Sequence, residues 1–235
     1  MRLTVFGATG GTGTEVVRQA LAAGHQVTAV VRDPSRLAVP AGTPIPAATA
    51  APTVTPAKTP VSAGFPAPPD RLTVVTADVT DPETITTALE GADAAVSALG
   101  HRPGGSTTIC ADGMRAILAA MDKTGVRRLV AVSASGLFSE AGEPPVTRYV
   151  AKPLLQALLR SGKRDAHRME DLIAESPAGW TIMRPSRLLN KARRPYRTAL
   201  DRYVSAQIGR ADLADAILAA LANPVTIGHR VNVGY

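Results

Sequence analysis

The sequence predicts an α/β fold, in which a doubly wound, mainly parallel sheet carries helices on both of its faces. Short apolar runs alternate with helical patterns along most of the chain, as they do where helices connect parallel strands. Aromatic residues make up only 3%, so the core must consist mainly of aliphatic side chains. With 235 residues, of which 45% are hydrophobic, the chain is long enough for one substantial core. We therefore expect a single domain over residues 1–235.

The predicted elements follow one another in a regular order. Strands are predicted at residues 3–6, 26–31, 72–77, 94–98, 128–133, 180–183 and 230–233. Helices are predicted at residues 14–23, 81–89, 107–123, 150–159, 165–175 and 212–222. The second helix has Pro82 in its first turn, where the missing N–H removes no helical hydrogen bond.

Residues 38–70 interrupt this order. They are rich in Pro, Ala and Thr and show no apolar period. We predict an extended, low-complexity loop inserted within the domain, disordered or loosely packed.

Composition excludes several classes of protein. No apolar run reaches membrane-spanning length, and the N-terminus enters a strand at once, which leaves no room for a signal peptide. The only cysteine, Cys110, cannot form an internal disulfide or a cysteine-based zinc site. We expect a cytoplasmic protein with no metal site.

The net charge of +7 is partly concentrated in a basic segment, residues 184–210. We interpret this segment as a solvated, mobile surface, with a site for a phosphate- or carboxylate-bearing ligand as the alternative. A nucleic-acid partner is disfavoured, because no recognition-helix motif accompanies the charge and aromatic residues are few.

A glycine-rich loop follows the first predicted strand directly and opens the first helix. Its sequence is Gly7-Ala8-Thr9-Gly10-Gly11-Thr12-Gly13. In such loops the first glycine permits a tight turn, the second lets backbone approach a pyrophosphate, and the third allows close helix–strand packing. Unpaired N–H groups at the helix start then favour phosphate groups. We predict a Rossmann-like, dinucleotide-binding βαβ unit whose loop residues, both threonines included, bind the cofactor.

The chain resembles the short-chain dehydrogenase/reductase superfamily, in particular its atypical, NmrA-like NAD(P)H-binding branch, which includes flavin reductases that also act on biliverdin IXβ. The resemblance covers nearly the whole chain outside residues 38–70. Besides the glycine loop, its markers are Val31-Arg32-Asp33-Pro34-Ser35-Arg36-Leu37, Ala77-Asp78-Val79, Ser97-Ala98-Leu99-Gly100, Val132-Ser133-Ala134-Ser135 and Trp180-Thr181-Ile182-Met183-Arg184-Pro185.

The residue after the second strand favours NADPH over NADH. Proteins that bind NADH usually place an acid there, which accepts hydrogen bonds from the ribose 2′-hydroxyl. Here the position holds Arg32, whose guanidinium can pair with a 2′-phosphate, and Arg36 can add a second contact. The resemblance implies this role for both arginines. Asp33 keeps NADH open as the less favoured cofactor.

Further cofactor contacts are expected at the carboxyl ends of later strands, where open α/β sheets bind ligands. The resemblance implies that Asp78 and Val79 lie beside the adenine. It places the turn Ala98-Leu99-Gly100 near the nicotinamide ribose. We also assign Ser133 and Pro185 to this edge.

Two alternatives remain for the catalytic groups. Tyr149 and Lys152 resemble the Tyr-x-x-x-Lys pattern of short-chain dehydrogenases, in which the tyrosine is the general acid and a serine, here Ser133 or Ser135, orients the carbonyl. Pro153 follows Lys152 at once, which disfavours helical geometry at the lysine.

The second alternative uses His167. The run His167-Arg168-Met169 resembles a helical segment of the flavin-reductase branch, in which the histidine lines the substrate pocket. That branch continues with Pro-Pro-His after the sixth strand, whereas this chain has Pro185-Ser186-Arg187. The departure puts flavin and biliverdin specificity in doubt, and Arg187 suggests either an anionic substrate or a salt-bridged surface.

Three functions are compatible with these residues. The leading hypothesis is an NADPH-dependent oxidoreductase that transfers a hydride to a small conjugated, quinone-like or flavin-like acceptor, as a monomer or homodimer. The alternative is a non-catalytic NADP(H)-binding sensor or regulator. A sugar-nucleotide epimerase-like protein ranks last, because little chain follows the sixth strand for a sugar-binding subdomain.

Overall fold

A computed structural model gives the fold of this chain. The structure describes residues 1–37, 71–101, 107–134, 138, 141–142, 144–145, 149, 160–204 and 207–235. The strands are β1 (Arg2–Phe6), β2 (Gln26–Val31), β3 (Leu72–Thr76), β4 (Ala94–Ser97), β5 (Arg128–Val132), β6 (Gly179–Pro185), β7 (Arg187–Leu189), β8 (Arg197–Leu200), β9 (Gln207–Gly209) and β10 (His229–Gly234). The helices are α1 (Gly11–Ala22), α2 (Pro82–Leu89), α3 (Ile109–Thr124), α4 (Arg160–Glu175) and α5 (Arg210–Ala222), with short 3₁₀ turns at Pro34–Arg36 and Pro224–Thr226.

Eight strands form one twisted sheet in the order β3-β2-β1-β4-β5-β6-β10-β8. Every pair is parallel except β10 with β8 at the edge. The chain moves outwards from β1 to β3, then returns to β4 on the other side of β1. This reversal places a topological switch point between β1 and β4, where open α/β sheets bind ligands.

Each face of the sheet has its own apolar core. One core packs α1 and α5 against residues such as Val5, Val130 and Val231. The other packs α2, α3 and α4 against residues such as Phe6 and Ile182. The predicted fold class, a Rossmann-like sheet with helices on both faces, is therefore confirmed.

The predicted elements match the observed ones with small shifts at their ends. The strand predicted at 26–31 is reproduced residue for residue, and α2 ends at Leu89 as predicted. Helix α1 begins three residues earlier than predicted, and α4 begins five residues before the predicted residue 165. The last predicted strand corresponds to β10, and β8, which was not predicted, lies outside it at the edge of the sheet. The loop predicted at 38–70 and the helix predicted at 150–159 lie outside the described residues.

The interpretation of residues 184–210 as a solvated surface holds for most of the segment, since six of its eight basic side chains are exposed, but the segment also contains regular structure and a buried arginine. The segment contains β7, β8 and β9, which were not predicted. Its first residue, Arg184, is buried and pairs with Glu170. Further along, Arg193 pairs with Asp215, and the guanidinium of Arg194 lies 3.4 Å from the centre of the Tyr235 ring. Partners far away in the sequence fix this segment, so its own composition could not reveal them.

Within the described part of the chain, no helix combines the length and the apolar character needed to cross a bilayer.

Candidate cofactor and acceptor site

The turn between β1 and α1 is shaped by two glycines that leave no room for a side chain. Gly7 has a φ of +75°, and a Cβ there would lie 2.5 Å from the carbonyl oxygen of Ala98. At Gly13 a Cβ would lie 2.2 Å from the carbonyl oxygen of Gly7. The turn, the first helical turn and the end of β4 are thus packed backbone against backbone.

The N-terminal end of α1 offers backbone N–H groups without a competing acid. Gly10 is the N-cap residue and has no side chain to cap the helix, and the first turn carries no acidic residue. The helical hydrogen bonds begin where Thr14 N–H donates to Gly10 O, at 2.8 Å. The amides before that bond have no acceptor within the helix. Together with the helix dipole, they form a favourable site for phosphate groups.

The end of β2 presents an exposed cation and an acid that is already engaged. Arg32 is exposed and lies close enough to Asp78 to lower the pKa of that carboxyl, after the larger effect of hydrogen bonds from Thr80. Asp33 caps the following turn, because its Oδ1 accepts from the backbone N–H and the hydroxyl of Ser35, at 3.0 Å and 2.6 Å. These hydrogen bonds, the hydroxyl's first, hold the pKa of Asp33 below its usual value.

The segments that follow β3 and β4 converge on α3, although β2 and β1 separate the two strands in the sheet. The Oδ1 atom of Asp78 accepts from Thr80 N at 3.0 Å and from its hydroxyl at 2.8 Å. Val79 is buried, and both Val79 and Leu99 approach Gly113 on α3. A Cβ on Gly113 would lie 2.7 Å from a methyl carbon of Leu99.

On the other side of the switch point, polar groups lie unpaired at the ends of β5 and β10. Ser133 follows β5, and its Oγ is buried with no hydrogen-bond partner among the described residues. The side-chain oxygen and nitrogen of Asn232 are also buried, and they too have no hydrogen-bond partner among the described residues. Strand alternation places both side chains on the face that α4 covers. An unpaired buried donor is destabilising, so a bound molecule that paired with it would gain affinity.

His167 belongs to an ionic and aromatic cluster between α4 and β6. Its ring centre lies 4.4 Å from that of Phe138, and the guanidinium of Arg184 lies 3.9 Å from the centre of the Phe138 ring. Glu170, which is buried, accepts two hydrogen bonds from Arg184 at 3.0 Å and 2.5 Å, and one from Arg230 at 3.1 Å. The cluster fixes the face of α4 that meets the carboxyl end of β6.

A second polar cluster, His101, Cys110 and Asp165, joins the end of β4 to α3 and α4. Both oxygens of the buried Asp165 accept backbone N–H groups at the start of α3, at 2.9 Å each. His101 Nε2 lies 3.0 Å from Asp165 Oδ2 and 3.0 Å from the carbonyl of Thr107. Burial, reinforced by Asp165, raises the pKa of the Cys110 thiol to about 12. These atoms lie close enough together for a metal ion, but the carboxylate already caps α3 and the thiol keeps its proton.

One sequence comparison decides the family. The profile of a family described as NAD(P)H-binding matches residues 7–224, from the glycine loop to two residues beyond the end of α5.

The chain belongs to the NAD(P)H-binding family.

Solved structures with the same fold agree with this assignment. A short-chain dehydrogenase/reductase from Veillonella parvula in complex with NADP superposes with a TM-score of 0.73 at 19% identity, covering 100% of this chain and 94% of the other. The oxidoreductase ylbE from Lactococcus lactis gives a TM-score of 0.72 at 19% identity, covering 99% and 90%. A proposed NADH-flavin reductase from Streptococcus pneumoniae gives 0.71 at 19% identity, covering 99% and 98%. The family match confirms the predicted resemblance to NAD(P)H-binding proteins, and these structures show that the fold is shared.

For an NAD(P)H-binding protein, the geometry fits the cofactor. The turn around Gly7 and Gly13 forms a backbone cradle that any added Cβ would fill, and the open amides of α1 lie beside it. Arg32 lies at the end of the neighbouring strand. The predicted cofactor residues that follow β1, β2, β3 and β4 all lie at the carboxyl edge of the sheet. Their contacts with the cofactor remain predictions.

The predicted catalytic set is placed only in part in this NAD(P)H-binding protein. Ser133 and Pro185 end neighbouring strands, and His167 lies on α4 against Phe138. Tyr149 is 72% exposed. Lys152 and Ser135 lie outside the described residues.

Sequence reasoning missed three features of the site. Arg210, at the start of α5, lies against Gly11 of the glycine loop. Asn232 was overlooked within an apolar strand, where a lone asparagine was the available signal. The pairing of His101 with Asp165 gives no signal, because 64 residues of chain separate them.

Proposed function

We propose that this chain is an NADPH-dependent oxidoreductase that transfers a hydride to a small conjugated, quinone-like or flavin-like acceptor. The observation that carries the proposal is the open N-terminal end of α1 beside the exposed Arg32. Backbone amides there suit a diphosphate, and the guanidinium suits a 2′-phosphate.

The state of Asp33 supports NADPH over NADH. A carboxylate that recognises NADH must accept hydrogen bonds from the ribose hydroxyls. In this chain one oxygen of Asp33 already accepts two hydrogen bonds from Ser35. Arg32 is exposed at the adjacent position, and Arg36 lies on the turn that Asp33 caps.

Calorimetric titration of Arg32→Ala with NADPH and NADH tests the cofactor preference. We expect the NADPH Kd to rise by about 10- to 100-fold, which is the loss of a charge-assisted hydrogen bond, with the NADH Kd almost unchanged. Arg127→Ala is a matched control, since Arg127 is exposed and precedes β5 at the opposite edge of the sheet. An unaltered preference in Arg32→Ala would refute the role of Arg32.

The acceptor is proposed to bind beside the carboxyl ends of β5 and β6. Bound NADPH supplies the hydride, so this chain's residues need only position the acceptor and provide a proton or hydrogen bond. The unpaired Oγ of Ser133 is a donor available for an acceptor carbonyl. His167 lies on the helix that covers this face, and Tyr149 is the second candidate proton donor.

Steady-state oxidation of NADPH with menadione and with FMN tests this assignment. We expect Ser133→Ala to lower kcat/KM by about 10- to 100-fold, because a hydrogen bond to a developing charge is lost. Tyr149→Phe should change it less than about threefold, because a group that is 72% exposed remains largely solvated. Equal activity of wild type and Ser133→Ala would remove Ser133 from the mechanism.

A non-catalytic NADP(H)-binding regulator is the second candidate. The exposure of Tyr149 favours it, because a proton-donating tyrosine is expected to be covered where water is excluded. This candidate predicts tight NADPH binding with no turnover of flavin, quinone or carbonyl acceptors. Turnover of any of these that depends on Ser133 or His167 would exclude it.

A further inference from the structure

Arg210 lies across the glycine loop although it is distant in sequence. It is the first residue of α5, and its Cδ and Nε each lie 2.8 Å from the position that a Cβ on Gly11 would occupy. Cα–Cβ bonds in a helix tilt towards the helix N-terminus. The side chain of Arg210 therefore lies over the N-terminal end of α1, where the free amides are.

The charge of Arg210 is not neutralised by an acid. Its NH1 donates to Asn190 Oδ1 at 2.6 Å, and among the described residues no carboxylate lies within ion-pair distance. Two other arginines of the same basic segment do have such partners, since Arg184 pairs with Glu170 and Arg193 with Asp215. Arg210 is thus held in place by a neutral amide while keeping its full charge.

We propose that Arg210 binds the diphosphate of the dinucleotide from the side opposite the amides of α1, and that Asn190 positions its guanidinium. This inference rests on the proposed function. It assigns a purpose to Gly11, because any Cβ there would displace the Arg210 side chain. A guanidinium and the start of α1 attract the same ligand chemistry, a phosphodiester anion. The site would thereby bind the cofactor at two separate points, with Arg32 at the 2′-phosphate and Arg210 at the diphosphate.

Two ligands separate these contacts. NADPH contains both phosphate groups, whereas adenosine 2′-monophosphate has the 2′-phosphate and lacks the diphosphate. We expect Arg210→Gln to raise the NADPH Kd by about 10- to 100-fold and to leave binding of adenosine 2′-monophosphate unchanged. Arg32→Gln should weaken both ligands, and Arg127→Gln should weaken neither.

Asn190→Asp distinguishes a role of charge from a structural role. The carboxylate would keep the contact with Arg210 but neutralise its charge. We expect weaker NADPH binding in Asn190→Asp, with unfolding by urea unchanged. If Arg210 only fastens α5 to the loop, this variant would bind NADPH like wild type, and the proposal would be overturned.

Gly11→Ala provides an independent variant of the same contact. We expect it to weaken NADPH binding and to make little further difference when combined with Arg210→Gln, since both changes remove one interaction. Additive effects would overturn the proposal, as would an equal loss of both ligands in Arg210→Gln. If wild type binds adenosine 2′-monophosphate but not NADPH, or binds neither, the proposed function itself fails, irrespective of Arg210.

Discussion

The two sides of the switch point are built in different ways. Between β1 and β4, the site is made of backbone: glycines in van der Waals contact with carbonyl groups, and the open amides of α1. Between β5 and β10, it is made of side chains. Glu170 joins Arg184 to Arg230, and the polar groups of Ser133 and Asn232 have no hydrogen-bond partner in the part of the chain that the structure describes. Under the proposed function, the first side would bind the diphosphate of the cofactor, and the second would bind the acceptor.

This difference determines how each side responds to substitution. A backbone cradle depends on the absence of side-chain atoms, so one added methyl group should disturb it. A side-chain network depends on matched charges, so removal of one charge should disturb it. Substitutions on each side should therefore differ in what they disturb.

Glu170→Gln should give the largest loss of stability. The substitution removes the negative charge of a buried carboxylate that pairs with Arg184, and breaking a buried pair in this way lowers the free energy of unfolding by about 3–5 kcal/mol. Urea denaturation measures it. Asp112→Asn is the control, because its pair with Arg115 is exposed and contributes less than about 1 kcal/mol. Similar small losses in both variants would show that the side-chain half does not depend on its buried ion pair.

Gly13→Ala should be the next most harmful change. The new Cβ would meet the Gly7 carbonyl oxygen at 2.2 Å, and relieving that contact requires movement of the backbone. We expect the free energy of unfolding to fall by about 2 kcal/mol, together with weaker NADPH binding.

Gly100→Ala is the matched control at the same edge of the sheet. Among the described residues, no atom lies within 4 Å of the position that its Cβ would take. Its free energy of unfolding should therefore stay within about 0.5 kcal/mol of wild type. Equal losses in the Gly13 and Gly100 variants would contradict the idea of a tightly packed cradle.

The backbone-built side could be predicted from sequence, whereas the side-chain-built side could not. The glycine loop and Arg32 are local signals, since strand, turn and helix are adjacent in the chain. The start of α1 was predicted late, because Gly11 and Gly13 are poor helix formers that tertiary packing retains. Strands β7 and β9 have three residues each and pair across 17 residues of chain, so no periodicity reveals them.

Individual partners also escape prediction. The burial of Arg184 depends on Glu170, which lies on another element, and the position of Arg210 depends on its contact with Gly11, about 200 residues away. A charge-rich segment whose arginines have such partners has the same composition as one whose arginines are solvated. Only the three-dimensional arrangement distinguishes a paired arginine from a solvated one.

Asp78 should contribute a small dependence of stability on pH. Hydrogen bonds from Thr80, the backbone N–H first, lower the pKa of Asp78 in the folded protein. A lowered folded-state pKa means that the stabilisation is present above the unfolded-state value, near pH 4, and is lost as the pH falls through the folded-state value. In Asp78→Asn, urea midpoints should fall less steeply between about pH 4 and pH 2 than in wild type. Parallel curves would show that these hydrogen bonds do not stabilise the carboxylate.

The most direct test of the backbone cradle is to follow backbone amide resonances during titration with NADPH. In ¹H–¹⁵N correlation spectra, we expect the amides of Gly11, Thr12 and Gly13 to shift most, since they would donate to the diphosphate. Amides at the opposite edge of the sheet, such as that of Gly125, should not shift. Saturable NADPH binding that leaves the three α1 amides unperturbed would contradict the central claim.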